Sequence, residues 1–343
     1  MAQPEGFTTP RQEDVVSSSP CPVPTLSAFL VKLNISKLIK NNFVFIRTID
    51  GVTCYIAVYV DDLLIIAPTR ALITELKSAL KKRFSMTDLG EVKYLLGWSI
   101  QPDQPNDIRP AHKYSTKVIN RLSDYILYPS ATPADRNVKL SVSRQPASEA
   151  GKVAMKSYPY REAVASIMYL MIDTRPEIAF YMREVSQFLA NPGMKHWNAV
   201  VRELNFLAGT KDFGICLGGS QEVTPDNLAD RLTVYSDSDY ANCPDTKRSV
   251  GGYVTMLSNS PISWLSRKHH TVVLSTAETE YIAMCHYTQE MIFHRLLLSE
   301  LGFAITQHNL LHEDNQSCNK ICYNLELYGE SKNNHVRCCL VQK

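Results

Sequence analysis

Apolar and polar residues change their spacing four times along this chain, and each change predicts a switch between strand and helix. Phe43-Val44-Phe45-Ile46-Arg47 and Cys54-Tyr55-Ile56-Ala57-Val58-Tyr59-Val60 are β-branched and aromatic runs that predict strands. Asp61-Asp62 interrupts them, and Leu63-Leu64-Ile65-Ile66-Ala67 resumes as strand. After Pro68, Leu72, Leu76, Leu80 and Phe84 recur every four residues among Lys and Glu, which predicts an amphipathic helix. Helical spacing returns over Tyr160 to Ile172, Glu177 to Leu189 and His196 to Leu207, broken at Arg175-Pro176 and Asn191-Pro192-Gly193. Strands follow at Leu232 to Ser236, Gly251 to Leu257 and Pro261 to Leu265. A long helix from Ser275 to Leu301 ends at Gly302, and Leu310 to His312 is a short strand. This β-β-β-α-β order predicts a mixed sheet with one long helix packed on it.

Between these stretches the pattern weakens. Residues 1–40 contain Ser17-Ser18-Ser19-Pro20-Cys21-Pro22-Val23-Pro24 and read as a poorly ordered loop or linker. Residues 87–150 are mixed and rich in Pro and polar side chains, and 141–157 reads as a linker. The expected organisation is a first folded unit over 41–140, a helical segment over 158–212 and a last domain over 228–343. No internal repeat is present. A length of 343 residues agrees with about two domains.

Composition narrows the classes. Apolar residues at 45% and charged residues at 20% supply a sizeable core and exclude wholesale disorder. A formal net charge of +2 excludes a polybasic, histone-like protein, yet leaves room for a local basic groove along a nucleic acid. No apolar run approaches the roughly 20 residues of a bilayer span, so no membrane partner is expected. The start lacks the charged and apolar regions of a secretory signal. With nine cysteines, the expectation is mostly reduced thiols in an intracellular protein, cytoplasmic or nuclear.

Two neighbouring carboxylates between apolar strands have two readings. Asp61-Asp62 suits an ordinary surface turn. It equally suits a hairpin whose acids hold divalent metal ions for phosphoryl transfer, since burying paired carboxylates is costly unless a cation neutralises them.

The surroundings of the pair carry a resemblance. Tyr59-Val60-Asp61-Asp62 with strand on both sides resembles the catalytic hairpin of reverse transcriptases. Met86-Thr87-Asp88-Leu89-Gly90 and Tyr94-Leu95-Leu96-Gly97 resemble the segment after that hairpin in copia-type LTR retrotransposon Pol polyproteins. Tyr160-Arg161-Glu162-Ala163-Val164, Thr174 to Ala179, His196-Trp197 and Leu207-Ala208-Gly209-Thr210 are similar to the connecting region, and Gln3-Pro4-Glu5-Gly6-Phe7 to a motif of the fingers and palm. The motifs are collinear over nearly the whole chain.

Tyr235-Ser236-Asp237-Ser238-Asp239-Tyr240-Ala241, Ser275-Thr276-Ala277-Glu278-Thr279-Glu280-Tyr281 and Glu313-Asp314-Asn315-Gln316-Ser317 resemble the ribonuclease H domain of that family. The resemblance implies an α/β fold in which a partial palm and thumb or connection precede a ribonuclease H-like mixed sheet. It implies metal-binding catalytic roles for Asp61, Asp62, Asp237, Glu280 and Asp314, with Mg²⁺ or Mn²⁺ as cofactor. The implied partners are an RNA–DNA hybrid or a template-primer, and an intact retrotransposon polyprotein. Glu278 lies two residues from Glu280 and points to another helix face, so the family pattern selects Glu280. Taken singly, Asp237 suits a strand end, Glu280 a solvated helix face and Asp314 an N-cap.

Three departures from the family pattern bear on activity. Only two residues precede Gln3, so the strand carrying a third palm carboxylate is not in this sequence. Glu5, Glu13, Asp14 and Asp50 are the only acids before Asp61, and none has a matching context. After Asp14 a Ser/Pro-rich stretch replaces the basic, aromatic palm segment. Near the end, Lys332-Asn333-Asn334-His335-Val336-Arg337 puts His335 where the family has a fourth carboxylate. The expectation is a degenerate fragment: polymerase activity lost, hybrid cleavage weak or absent, with an inert relic that at most binds nucleic acid as the alternative.

Other features add little. Lys247-Arg248 and Arg267-Lys268-His269-His270 form a modest basic patch that suits phosphate contact or simple solvation. Trp98, Trp197 and Trp264 suit base stacking or core packing. Cys318 and Cys322 with His308 and His312 have a weak zinc-like spacing. Gly218-Gly219 lacks the Lys of a phosphate loop.

Overall fold

The computed structural model describes residues 23–92, 94–95, 98–99, 112–135, 137–217, 224 and 226–323. Helix α1 (Val23–Lys32) leads to β1 (Ser36–Lys37), β2 (Val44–Ile49), β3 (Val52–Tyr59) and β4 (Asp62–Ile66), an antiparallel sheet in sequence order. Helix α2 (Arg70–Arg83) follows, its first turn closed by Thr69, whose Oγ1 accepts from the Leu72 amide at 3.5 Å. Strict alternation on β3 buries Cys54, Ile56 and Val58, and α2 turns Leu76 and Leu80 toward them.

Two short strands, β5 (Tyr94–Leu95) and β6 (Trp98–Ser99), pair with each other before α3 (His112–Arg121). The helical layer comprises α4 (Glu149–Met155), α5 (Tyr160–Asp173), α6 (Ala179–Ser186) and α7 (Met194–Gly209). Ile167, Leu170, Met182, Val200 and Leu204 fill its core, and Trp197 packs edge-on against Tyr125 at 4.9 Å. Trp197 is thus a core residue.

The last unit contains β7 (Leu232–Asp239), β8 (Val250–Leu257), β9 (Ser260–Lys268), α8 (Thr276–Glu300), β10 (Leu310–His312) and α9 (Gln316–Tyr323). Its strand order is β10-β7-β8-β9, with β10 parallel to β7 and the other pairs antiparallel. That is the mixed sheet expected from the β-β-β-α-β order. Helix α8 covers one face through Ala283 and Tyr287, packed on Val234. A Cβ at Gly251 would stand 2.4 Å from the Tyr287 hydroxyl, so the close approach of β8 to α8 requires glycine there.

Polar contacts join the units. The Glu300 carboxylate, at the end of α8, accepts the Ile39 and Lys40 amides at 2.9 Å each. The Tyr55 hydroxyl donates to the Leu301 carbonyl at 2.8 Å, and Trp264 Nε1 donates to the Met171 carbonyl at 2.9 Å. No helix among the described residues is long and apolar enough to cross a membrane.

Two expectations need correction. The stretch expected to be poorly ordered through residue 40 contains α1 and β1, because Leu26, Leu30, Ile35 and Leu38 are buried there. The expected linker over 141–157 is instead a packed strap followed by α4. The Ser141 carbonyl meets His196 Nε2 at 3.2 Å, and the Val142 amide donates to Asp245 at 3.0 Å. A Cβ at Gly193 would stand 2.1 Å from the Arg144 carbonyl oxygen, so this strap seats only over glycine. Polar composition hid it because its own backbone atoms bond side chains far away in sequence.

The helical layer also buries Glu203 completely, with neither carboxyl oxygen hydrogen-bonded. Burial pushes its pKa well up, against the opposing effect of the Arg175 charge. A carboxyl whose folded-state pKa lies above its unfolded value contributes most below the unfolded value. That contribution is lost as pH rises through the folded value. Glu203→Gln should therefore gain stability over the parent as pH rises from 5 to 8, by up to about 1.4 kcal/mol per pH unit. Chemical denaturation at the two pH values measures the gap; a gap independent of pH refutes the buried, protonated state.

Candidate metal centre

Strand β7 alternates Leu232, Val234, Ser236 and Ser238 inward with Tyr235, Asp237 and Asp239 exposed on the other face. Strand β10 runs parallel beside it with His312 opposite Tyr235, so Glu313 and Asp314 follow alongside Ser236 and Asp237. Helix α8 enters from above. Its N-cap Ser275 accepts the Glu278 amide at 3.1 Å, which brings Glu280 to the second turn, over the end of β7.

Three carboxylates meet there. One oxygen each from Asp237, Glu280 and Asp314 lies within 4.8 Å of the others. Glu280 is only 6% exposed, and its Oε2 has no hydrogen-bond partner. Its pKa is pushed up to about 8, first by burial and then by the negative charges of Glu313, Asp237, Asp314 and Asp239. One buried and two exposed carboxylates gathered without a cation disfavour one another's charged forms, and an oxygen-only donor set of this kind fits a hard divalent ion. The buried, unpartnered Glu280 oxygen is the observation that favours such an ion over a solvated acidic patch.

Asp237 and Glu280 line a groove of about 1570 Å³. Tyr235 and Trp264 of the sheet and Lys139, Phe180 and Arg202 also line it. Trp264 is thereby a groove residue that also ties the sheet to α5.

Glu313 belongs to this neighbourhood and was not among the residues selected from sequence. Its Oε2 accepts from the Ser236 hydroxyl at 2.9 Å and its Oε1 from the Asn315 amide at 3.0 Å. Burial raises its pKa, while these two hydrogen bonds oppose the rise. Strand alternation sends Glu313 and Asp314 to opposite faces, which makes Glu313 look irrelevant. The signal that could have found it is the Ser236 hydroxyl, one residue before Asp237 on the facing strand. Glu278 stays out of the trio.

Asp61 and Asp62 are exposed and distinct in role. Tyr59 pairs with Asp62, so Val60-Asp61 forms the turn and Asp62 opens β4. Val60 has φ of +52°, a left-handed conformation that strains a β-branched residue. Among the described residues the Asp237, Glu280 and Asp314 trio is the sole gathered metal-ligating group, so Asp61 and Asp62 lack a third ligand there.

The remaining candidates fare as follows. Lys247, Arg248, Arg267 and His270 are exposed, but His269 is buried and Lys268 bonds Gln187 and Cys243. Cys318 and Cys322 contact each other along α9 rather than gathering with His308 and His312. His335, Gly218-Gly219, Glu5, Glu13 and Asp14 lie outside the described residues, as does the Trp98 side chain.

Residues 18–136 match the family model described as reverse transcriptase (RNA-dependent DNA polymerase). The chain is 35% identical over 300 residues to the retrovirus-related Pol polyprotein from transposon TNT 1-94 of Nicotiana tabacum, covering 87% of this chain and 21% of that one. It is 29% identical to the Pol polyprotein from transposon RE2 of Arabidopsis thaliana, over 90% of this chain and 20% of the relative. A protein named for transposon Ty5-1 in Saccharomyces cerevisiae is 32% identical, over 74% of this chain and 78% of that protein. The chain thus spans about a fifth of the length of the two Pol polyproteins it matches.

The crowding of negative charge has a measurable signature. Without divalent ions, Glu280→Gln should melt a few degrees above the parent near neutral pH, since it removes the cost of holding a buried carboxyl protonated well above its ordinary pKa. Millimolar Mn²⁺ should raise the melting temperature of the parent and leave the variant nearly unchanged. Because the Glu280 proton must leave before the carboxylate binds a cation, Mn²⁺ affinity should rise from pH 6.5 to pH 8.5 in titration calorimetry. Equal affinity at the two pH values contradicts the site.

Proposed function

The chain belongs to the reverse transcriptase family of copia-type retrotransposon Pol polyproteins, and on that footing we propose that residues 228–343 form a ribonuclease H-like domain directed at RNA–DNA hybrids. In this reading 41–140 is part of a polymerase palm and thumb that has lost synthesis, and 158–212 is the connection between them. The observation that carries the proposal is the meeting of Asp237, Glu280 and Asp314 within 4.8 Å around a buried, unpartnered Glu280 oxygen.

These three side chains are the ones that would hold Mg²⁺ or Mn²⁺. Such ions, when bound, activate a water for attack on a phosphodiester and stabilise the departing oxygen. The chain itself supplies the rest. Asp237 sits on the exposed face of a central strand, so a backbone phosphate can approach it from the groove. Glu313, pinned by Ser236 and Asn315, adds a fixed negative charge beside the trio. Lys139 and Arg202, which also line the groove, offer cations to a nucleic-acid backbone.

Loss of synthesis is supported by the Asp61-Asp62 turn, where no third carboxylate gathers among the described residues. The competing reading is an inert relic that at most binds a hybrid or template-primer, alone or beside an intact polyprotein. It is favoured by the proton that Glu280 retains up to about pH 8, which competes with metal binding.

Cleavage of a labelled RNA–DNA hybrid with Mn²⁺ separates the two. The nuclease reading expects cleavage that falls on the order of 100-fold or more in Asp237→Asn; no cleavage, or equal rates, sinks it. Primer extension with Mg²⁺ or Mn²⁺ should give no incorporation. Robust incorporation that disappears in Asp61→Ala overturns the loss of synthesis.

A further inference from the structure

Away from the acid trio, the seam between α5, α6 and β9 forms a second, open cavity of about 440 Å³. Met168, Met171 and Trp264 give it apolar walls, and no acidic side chain lines it. Its one charged lining residue is Arg183 on α6, whose side chain is 11% exposed. Arg183 pairs through Nη2 with Glu184, but its Nε and Nη1 are buried without a hydrogen-bond partner. Ser266 of β9 also lines the cavity, and its hydroxyl is likewise buried and unpartnered.

Buried donors in native proteins are nearly always satisfied, and a guanidinium is the costliest donor to leave bare. Here two residues from different elements that line one cavity each carry a buried unpaired donor, and what these donors lack is an acceptor. The volume lies within the roughly 300–1,000 Å³ of small-molecule sites, and the mix of apolar wall with few polar groups is typical of them. A lone inorganic anion would leave Met168, Met171 and the Trp264 ring without contact. A purely apolar guest would leave the Arg183 and Ser266 donors bare.

We propose that this cavity binds a small amphipathic anion, an aromatic or aliphatic body bearing a phosphate or carboxylate, with its oxygens on Arg183 and Ser266 and its body against Met168, Met171 and Trp264. Burial lowers the pKa of the Arg183 guanidinium, although Glu184 works against this, and an oxyanion partner would restore it. Trp264 and Ser266 also border the large groove, so an occupant would press on the wall of the nucleic-acid path.

The test is titration calorimetry of the full chain with phenyl phosphate in EDTA, which removes the acid trio from contention as a metal-bridged site. Phenyl phosphate should bind, and phenol or inorganic phosphate alone should bind at least tenfold more weakly. Arg183→Gln should weaken phenyl phosphate at least tenfold, and Met171→Trp, which fills the cavity, should abolish it. If Arg183→Gln does not fold, Ser266→Ala carries the same test, with an expected loss of about threefold. Absence of binding to the parent, or affinity unchanged in the folded variants, overturns the proposal.

Discussion

Repulsion among carboxylates governs the last third of this protein. Four acids, Asp237, Glu280, Glu313 and Asp314, converge on the end of β7, and burial of Glu280 strengthens the effect of the others on it. Every neighbouring element acts against that repulsion. The sheet pairing holds Asp237, the parallel return of β10 brings Asp314, and the Ser275 cap sets the start of α8. Without this framework the side chains would swing apart into water. Such a cluster costs stability wherever no cation sits among its oxygens.

Much of this was legible in the residues. The four-residue spacing of Leu72, Leu76 and Leu80 places α2 correctly because one helix face meets one sheet. The β-β-β-α-β order anticipates the mixed sheet, and the acids at the ends of β7, α8 and β10 were recognisable by position and by family likeness. What escaped notice depends on contacts remote in sequence. Helix α1 is stabilised by a sheet that lies after it, and the strap over Gly193 by the distant side chains of His196 and Asp245. Glu313 is selected by a hydroxyl on another strand, and no local pattern announces that.

The two acidic features also differ in kind. Asp61 and Asp62 stand on an exposed hairpin whose strain sits at Val60, whereas Glu280 is buried within a framework of hydrogen-bonded neighbours. Likeness to polyproteins extends over both halves and does not distinguish them. Geometry does: among the described residues three carboxylates gather at one place, and the exposed turn gathers no third ligand at the other.

Helix α8 links Glu280 near its beginning to Glu300 at its end, where the amides of Ile39 and Lys40 are held. The two carboxylates are separated by about 30 Å of continuous rod. The rod therefore sets a rotational phase as well as a span. A single residue inserted along it would turn the docking point by about 100° about the axis, carrying the hairpin tip to another side of the molecule while the acids stayed still.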